Sequence, residues 1–277
     1  LTQPLRIEDP RNHLVTTPQG LEDFCRQVRR EGLLALDSEF IREESYTPRI
    51  CLAQAATRSS VALIDPADLD IRPLWELVTE QAIETVVFSG RQDMEICHAW
   101  TGRAPGNIVD LQTAAGFAAL PHPASYGRVV RAAFGVELPR TETYTDWSRR
   151  PLSMDQLWYA VEDVLYLIPL YDHLRAWLER LGRWGWLREE MRHLEADESY
   201  APGDADAYLR VRGQGRLNPR QRAVLRELAA WRQRAARRRN SPPRQYCRDE
   251  CLVELAQRSP RTAAALRRFR GFPKADP

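Results

Sequence analysis

Asp37-Ser38-Glu39-Phe40 closes an apolar run, Gly32-Leu33-Leu34-Ala35-Leu36. Such a run reads as a buried β-strand. Side chains alternate along a strand, so Asp37 and Glu39 share a face. Neighbouring carboxylates repel unless something positive lies between them, and a hard divalent cation held through carboxylate oxygens meets that need. A metal-dependent active site is the sharp reading. Two solvated acids at a strand edge is the plain one, and the pair alone does not separate them. Other polar residues fall at telling places. Ser89-Gly90-Arg91-Gln92 has the form of a capping box, with Ser at the cap and Gln three residues on. Asp93 then lies in the first turn of a helix at the C-terminal edge of the sheet. The helix dipole alone accounts for an acid there, although ligands bind at this edge in open α/β sheets. Tyr159 and Asp163, four residues apart in the apolar run from Trp158 to Leu167, share a helix face. A phenol and a carboxylate so placed need a common polar target, or else bond to each other. Glu162 lies about 100° round that helix and is read as solvated.

These residues need a sheet and helices to position them. Strands are expected at Arg49 to Ala56, Val61 to Asp65 and Thr85 to Phe88, and a helix over Asp68 to Glu80. Helical pattern dominates from there to about His193. Asp110, in Asn107-Ile108-Val109-Asp110-Leu111, is read as a helix cap. Strands wrapped by helices give an α/β fold with a mixed central sheet. The stretch from Asp197 to Gln214 reads as a joint. Asn218-Pro219 then has the form of a helix start, with Asn as cap and Pro in the first turn. That helix should run to about Asn240, where Ser241-Pro242-Pro243 stops it. Shorter helices follow around Asp249 to Arg258 and Arg261 to Phe269. The expected division is residues 1–196, a linker over 197–213, and a small all-α domain over 214–277.

The chain has 277 residues, 43% hydrophobic and 28% charged, the composition of a soluble globular protein. No apolar run approaches the ~18 residues of a membrane span. No basic-then-apolar leader opens the sequence, and the missing initiating Met suggests a trimmed start. Cys25, Cys51, Cys97, Cys247 and Cys251 are odd in number and none has CxxC spacing, so reduced thiols in a cytoplasmic protein are expected and a zinc site is not. The net charge of +2 conceals an asymmetry: residues 201–277 hold 19 Lys/Arg against 7 Asp/Glu, and residues 1–200 hold 21 against 31. An acidic body suits cations and a basic tail suits polyanions. Lys274 is the only lysine, so the arginine richness also fits genome composition.

Taken together, these features resemble the DEDD superfamily of 3′→5′ exonucleases, in its Tyr version. Asp37-x-Glu39, a central Asp93 and Tyr159-x3-Asp163 fill its three motifs in order. Asp37 to Glu43 with Tyr46-Thr47-Pro48-Arg49 is similar to the first motif region of the ribonuclease D family. Thr143 to Leu167, with Asp146-Trp147 and Arg150-Pro151-Leu152, is similar to the third. Ser125-Tyr126-Gly127-Arg128 and Gly135-Val136-Glu137-Leu138 fit the segment between. Leu217 to Pro273 resembles an HRDC domain, through Leu228 to Arg232, Arg238-Arg239-Asn240 and Asp249 to Leu252. Many family members carry a His where Phe88 aligns. Many also carry a second HRDC domain, so one is absent or truncated here.

The resemblance implies a ribonuclease H-like exonuclease fold followed by the HRDC domain. It also implies hydrolysis with two divalent cations, Mg²⁺ or Mn²⁺, about 3.5–4 Å apart. Asp37 would bridge them, Glu39 and Asp163 would complete one site, and Asp93 would hold the second. Tyr159 would orient the attacking water; with an ordinary pKa of about 10 it is a poor simple base. The implied substrate is the 3′ end of RNA, such as a tRNA precursor, trimmed to 5′-mononucleotides by a monomer with no membrane partner. Phe40 is a candidate for stacking on a terminal base, or else a core aromatic. Gln54 and Gln112 are candidates for sugar or base contacts. Arg149 and Arg150 are candidates for phosphate contacts. In the long tail helix Val224, Leu225, Leu228, Trp231 and Ala235 make a packing stripe. Arg222, Arg226, Arg234 and Arg237 lie on the other side, as an RNA-docking face or a solvated one. Competing functions are a DNA 3′→5′ exonuclease of the same superfamily and a nucleic-acid-binding module without catalysis. The intact acidic set argues against the latter. No phosphate loop supports a helicase role.

Overall fold

The computed structural model describes residues 3–120, 122–139, 145–200, 204–266 and 268–272. Thr143, Pro273 and Lys274 therefore lie outside the described residues. The chain divides into two units: one runs up to Phe40 and from Ile50 to Tyr200, and the other takes Ile41–Arg49 with everything beyond Tyr200.

In the first unit a 3-10 turn leads into β1 (Leu14–Val15), α1 (Pro18–Glu31), β2 (Leu33–Ile41), β3 (Arg49–Ala56) and β4 (Val61–Ile64). Next come α2 (Arg72–Val78), β5 (Glu84–Val87), α3 (Arg91–Thr101), β6 (Asn107–Asp110) and α4 (Leu111–Phe117). The unit closes with α5 (Tyr126–Phe134), α6 (Met154–Leu165), α7 (Leu167–Arg180) and α8 (Trp184–Met191). Helix α1 starts on a Thr17 hydroxyl that accepts the Gly20 N–H, with Pro18 in its first turn. It stops at Gly32, whose φ of +66° lets the chain turn straight into β2. The six strands run in the order β1-β4-β3-β2-β5-β6. β1 is parallel to β4, β3 is antiparallel to β4, and β2-β5-β6 are parallel, with Leu34 opposite Thr85 and Val87 opposite Asp110. The sheet is therefore mixed. Its core is filled by Leu34, Leu36, Leu52, Leu63, Ile64 and Trp75, each at most 1% exposed.

In the first unit three elements depart from the expectation. Two-residue β1 is too short to carry a periodic signal, α1 was not foreseen, and Asn107–Asp110 is a strand inside a stretch read as helical.

The second unit contains a 3-10 stretch, Asp204–Arg210, then α9 (Pro219–Arg238), α10 (Pro243–Tyr246), α11 (Asp249–Arg258) and α12 (Ala263–Leu266). Asn218 and Gln221 form the reciprocal capping box that starts α9. Leu225, Ala229, Cys251, Leu252, Leu255 and Ala256 form its core. Ala207 and Val211 belong to that same core, so the segment expected as a linker over 197–213 is in part a packed element. The Ile41–Arg49 segment is held within this unit: the Asn240 side chain accepts the Tyr46 and Thr47 N–H groups at 3.2 and 3.3 Å. All five cysteines are buried free thiols. Among the described residues, no helix is long and apolar enough to cross a membrane.

Candidate active site

β2 is buried through Leu36 and opens toward solvent from Asp37 onward. Alternation sends Asp37 and Glu39 to one face and Ser38 to the other. Ser38 is only 8% exposed, and its hydroxyl donates to Asp93 Oδ1 at 2.5 Å. The middle residue of the acidic motif thus anchors the third acid, a role that motif reading had not assigned.

Asp93 reaches this point because α3 begins where β5 ends. The expected Ser89 capping box is absent. Ser89 has a φ of +57° and Gly90 is the cap, with no side-chain bond. Asp110 supplies the missing acceptor. Its carboxylate takes the Ser89 and Gly90 N–H groups at 3.2 and 3.1 Å, and those of Gln112 and Thr113 at 2.9 and 3.3 Å. One buried acid therefore caps α4, as its sequence position suggested, and also fixes the turn into α3. A Cβ on Gly90 would fall 2.5 Å from Val87 Cβ, so only glycine fits there.

α6 brings Tyr159 and Asp163. A Ser153–Gln156 capping box starts it. Asp163 Oδ2 is buried without a hydrogen-bond partner among the described residues. The Tyr159 ring lies 5.8 Å from the Trp147 ring, and its hydroxyl makes no hydrogen bond among the described residues.

The carboxyls repel one another. Burial, then Asp163, Asp93 and Glu39, push Asp37 well above the usual carboxylate range. Burial and Asp93 lift Glu39 to about 7. Burial, then Glu39 and Glu162, raise Asp163. For Glu39 and Asp163 every influence pushes upward, and no basic side chain among the described residues offsets it. Burial, then Asp163, Glu39 and Asp37, also raise the Tyr159 phenol. Asp37, Glu39, Asp93, Asp163 and Tyr159, spread over three elements, thus feel one another's charge. Glu162, read as solvated, is half-buried and raised by burial.

The candidate substrate contacts behave differently. Phe40 is half-buried against the first core. Gln54 has no exposed surface and neither amide atom has a partner among the described residues; enclosed in this way, it is out of a substrate's reach. β3 is buried on both faces, so a polar residue there does not signal an exposed one. Gln112 donates to the Ala124 carbonyl. Arg150 is committed to Asp65, at 2.5 and 2.7 Å, and to the Cys51 carbonyl at 2.6 Å, which makes it a brace. Arg149 is exposed beside Asp146. In the second unit, Arg222 bonds the Leu217 carbonyl, Arg226 pairs with Glu227, and Arg234 and Arg237 pair with Asp204. That arginine face is in part internally neutralised.

Among the described residues, no three His, Cys, Asp or Glu groups stand together as a closed metal cage. The donors nevertheless fit a hard divalent ion. All are carboxylate oxygens, Glu39 and Asp163 meet no offsetting basic side chain among the described residues, and Asp163 Oδ2 is buried with no hydrogen-bond partner among them.

A family model described as 3′-5′ exonuclease matches residues 12–179, and the HRDC domain model matches residues 221–276. The protein is accordingly an exonuclease domain joined to an HRDC module. The ribonuclease D of Bartonella henselae is 36% identical over 94% of this chain and 64% of its own length. That of Sphingobium indicum is 37% identical over 94% of this chain and 67% of its own length. The crystal structure of Escherichia coli RNase D, described as an exoribonuclease involved in structured RNA processing, superposes with a TM-score of 0.82 at 31% identity, covering 92% of this chain and 68% of that one. The chain belongs to the ribonuclease D family. It spans about two-thirds of the length of these relatives.

Proposed function

We propose that this chain is a 3′→5′ exoribonuclease that trims structured RNA, such as tRNA precursors, and releases 5′-mononucleotides. One observation carries the reading. Asp163, Asp93 and Glu39 raise Asp37, and Glu39 raises Asp163, at a sheet edge where no basic side chain among the described residues offsets Glu39 or Asp163, beside a Tyr159 hydroxyl that makes no hydrogen bond among those residues. The description of the E. coli relative supports the choice of RNA.

Asp37, Glu39, Asp93 and Asp163 would hold two Mg²⁺ or Mn²⁺ ions. Bound there, such ions neutralise phosphodiester charge and lower the pKa of a bound water. Asp37 feels all three other acids and would serve both ions. Glu39 raises Asp163, and the two would complete the site of one ion. Asp93 accepts from Ser38 through one oxygen and would contribute to the site of the second ion. Tyr159 donates its hydrogen bond to the attacking water. Its phenol is raised above an already high value, so it keeps its proton and acts by orientation.

The test uses RNA labelled at the 3′ end and, separately, at the 5′ end, with and without chelator, beside a DNA of the same sequence. The proposal expects immediate loss of 3′ label as mononucleotide, progressive shortening of the 5′-labelled strand, and arrest by chelator. Endonucleolytic fragments or chelator-resistant cleavage would overturn it, and a clear preference for DNA would favour the related DNA exonuclease reading.

A further inference from the structure

α6 and α7 are one helix broken at Tyr166. Pro169 has no N–H and its ring excludes the carbonyl four residues back, that of Leu165. The regular bond from the Tyr166 N–H to the Glu162 carbonyl is open, and within the helix that N–H leans toward the Val164 carbonyl. The Tyr126 hydroxyl, from α5, fills the gap. It donates to the Glu162 carbonyl at 3.2 Å and accepts the Tyr166 N–H at 3.2 Å. One side chain thus takes the place of a missing turn of backbone ladder. The Phe88 ring meets the Tyr126 ring edge-on at 5.3 Å and holds it there.

Asp163 is the residue next to Glu162, on the last turn before this break. We propose that Tyr126 is a positioning residue for Asp163: its hydroxyl splices the α6–α7 break and so fixes where the Asp163 carboxylate stands against Asp37. The single proton of the Tyr126 phenol is spent on the Glu162 carbonyl, so it orients no water. That separates it from Tyr159, another phenol near these acids, whose hydroxyl makes no hydrogen bond among the described residues. The inference rests on the reading of Asp163 as a cation ligand.

Tyr126→Phe deletes both bonds and keeps the ring. Mn²⁺ binding by titration calorimetry, steady-state kinetics and circular dichroism are measured on the full chain, with Asp163→Asn in parallel. Loss of a group that orients a metal ligand typically costs about 10–100-fold in affinity or activity. The expected result for Tyr126→Phe is a folded protein with about tenfold weaker Mn²⁺ binding, a kcat reduced about tenfold or more, and a KM within about twofold of wild type. Adding Pro169→Ala lets the backbone close the Glu162–Tyr166 bond itself, and should recover part of the Mn²⁺ affinity. Wild-type Mn²⁺ binding and kcat in Tyr126→Phe overturn the proposal, even if melting falls. Loss of folding also overturns it, because the hydroxyl would then serve the scaffold in general. Wild-type Mn²⁺ binding by Asp163→Asn would instead remove the underlying site reading.

Discussion

Glu39→Gln tests the repulsion among the acids without requiring any substrate. Burial, then Asp93, lift the Glu39 carboxyl from 4.5 to about 7 on folding. A carboxyl raised in this way is protonated more readily in the folded state than in the unfolded one. Its stabilising contribution is therefore full below the unfolded value and is lost as pH rises through about 7. At about 1.4 kcal/mol per pKa unit, the loss reaches a ceiling of about 3 kcal/mol by pH 8, reduced by whatever water enters the site. By the same linkage it is below about 1 kcal/mol at pH 5. Gln keeps the shape and cannot ionise. In chelator, the variant should be more stable than wild type by up to about 3 kcal/mol at pH 8, a rise of about 6–10 °C in Tm for a unit of this size, and nearly equal to wild type at pH 5. In excess Mn²⁺ the order should invert, because an ion that binds only the folded state stabilises the protein with the full ligand set more. Thermal unfolding by circular dichroism at the two pH values reads this directly. A variant no more stable than wild type at pH 8, or a gain equal at both pH values, would refute the reasoning.

Tyr159→Phe should leave Mn²⁺ affinity unchanged while lowering kcat about 10–100-fold; weaker Mn²⁺ binding in calorimetry would contradict the orienting role. Asp110→Ala should cost about 2–4 kcal/mol in denaturant unfolding, because four backbone N–H groups at two helix starts lose their acceptor. Arg232→Met should destabilise the helical unit by about 3 kcal/mol. It breaks the 2.7 Å pair with Asp249 between side chains only 5% and 4% exposed, leaving that acid to Arg244 and the Arg212 N–H. A two-step melt whose tail transition stays in place would count against it.

The grouping of the acidic motif was legible because its information is local. Period-two alternation places Asp37 with Glu39, and four-residue spacing places Tyr159 with Asp163. The start of α9 was legible for the same reason, since Asn218, Pro219 and Gln221 act within one turn. Features set by distant partners were not legible. The Ser89–Gln92 pattern suggested a box that the fold replaces with Asp110, twenty residues on. Arg150 reads as a loop cation, yet it bonds Asp65 across 85 residues of chain. Gln54 reads as a candidate sugar or base contact, but β3 lies inside the sheet and is covered on both sides. Tyr126 drew notice only inside a family-like segment, because its two partners sit 36 and 40 residues away.

The central claim is that Asp37, Glu39, Asp93 and Asp163 form one cation site. Anomalous diffraction from crystals soaked in Mn²⁺ tests it most directly. Two peaks, both within coordination distance of Asp37 and shared out among the other three carboxylates, are the predicted result. Manganese bound elsewhere on the chain, with those four side chains left without an ion, would contradict the account.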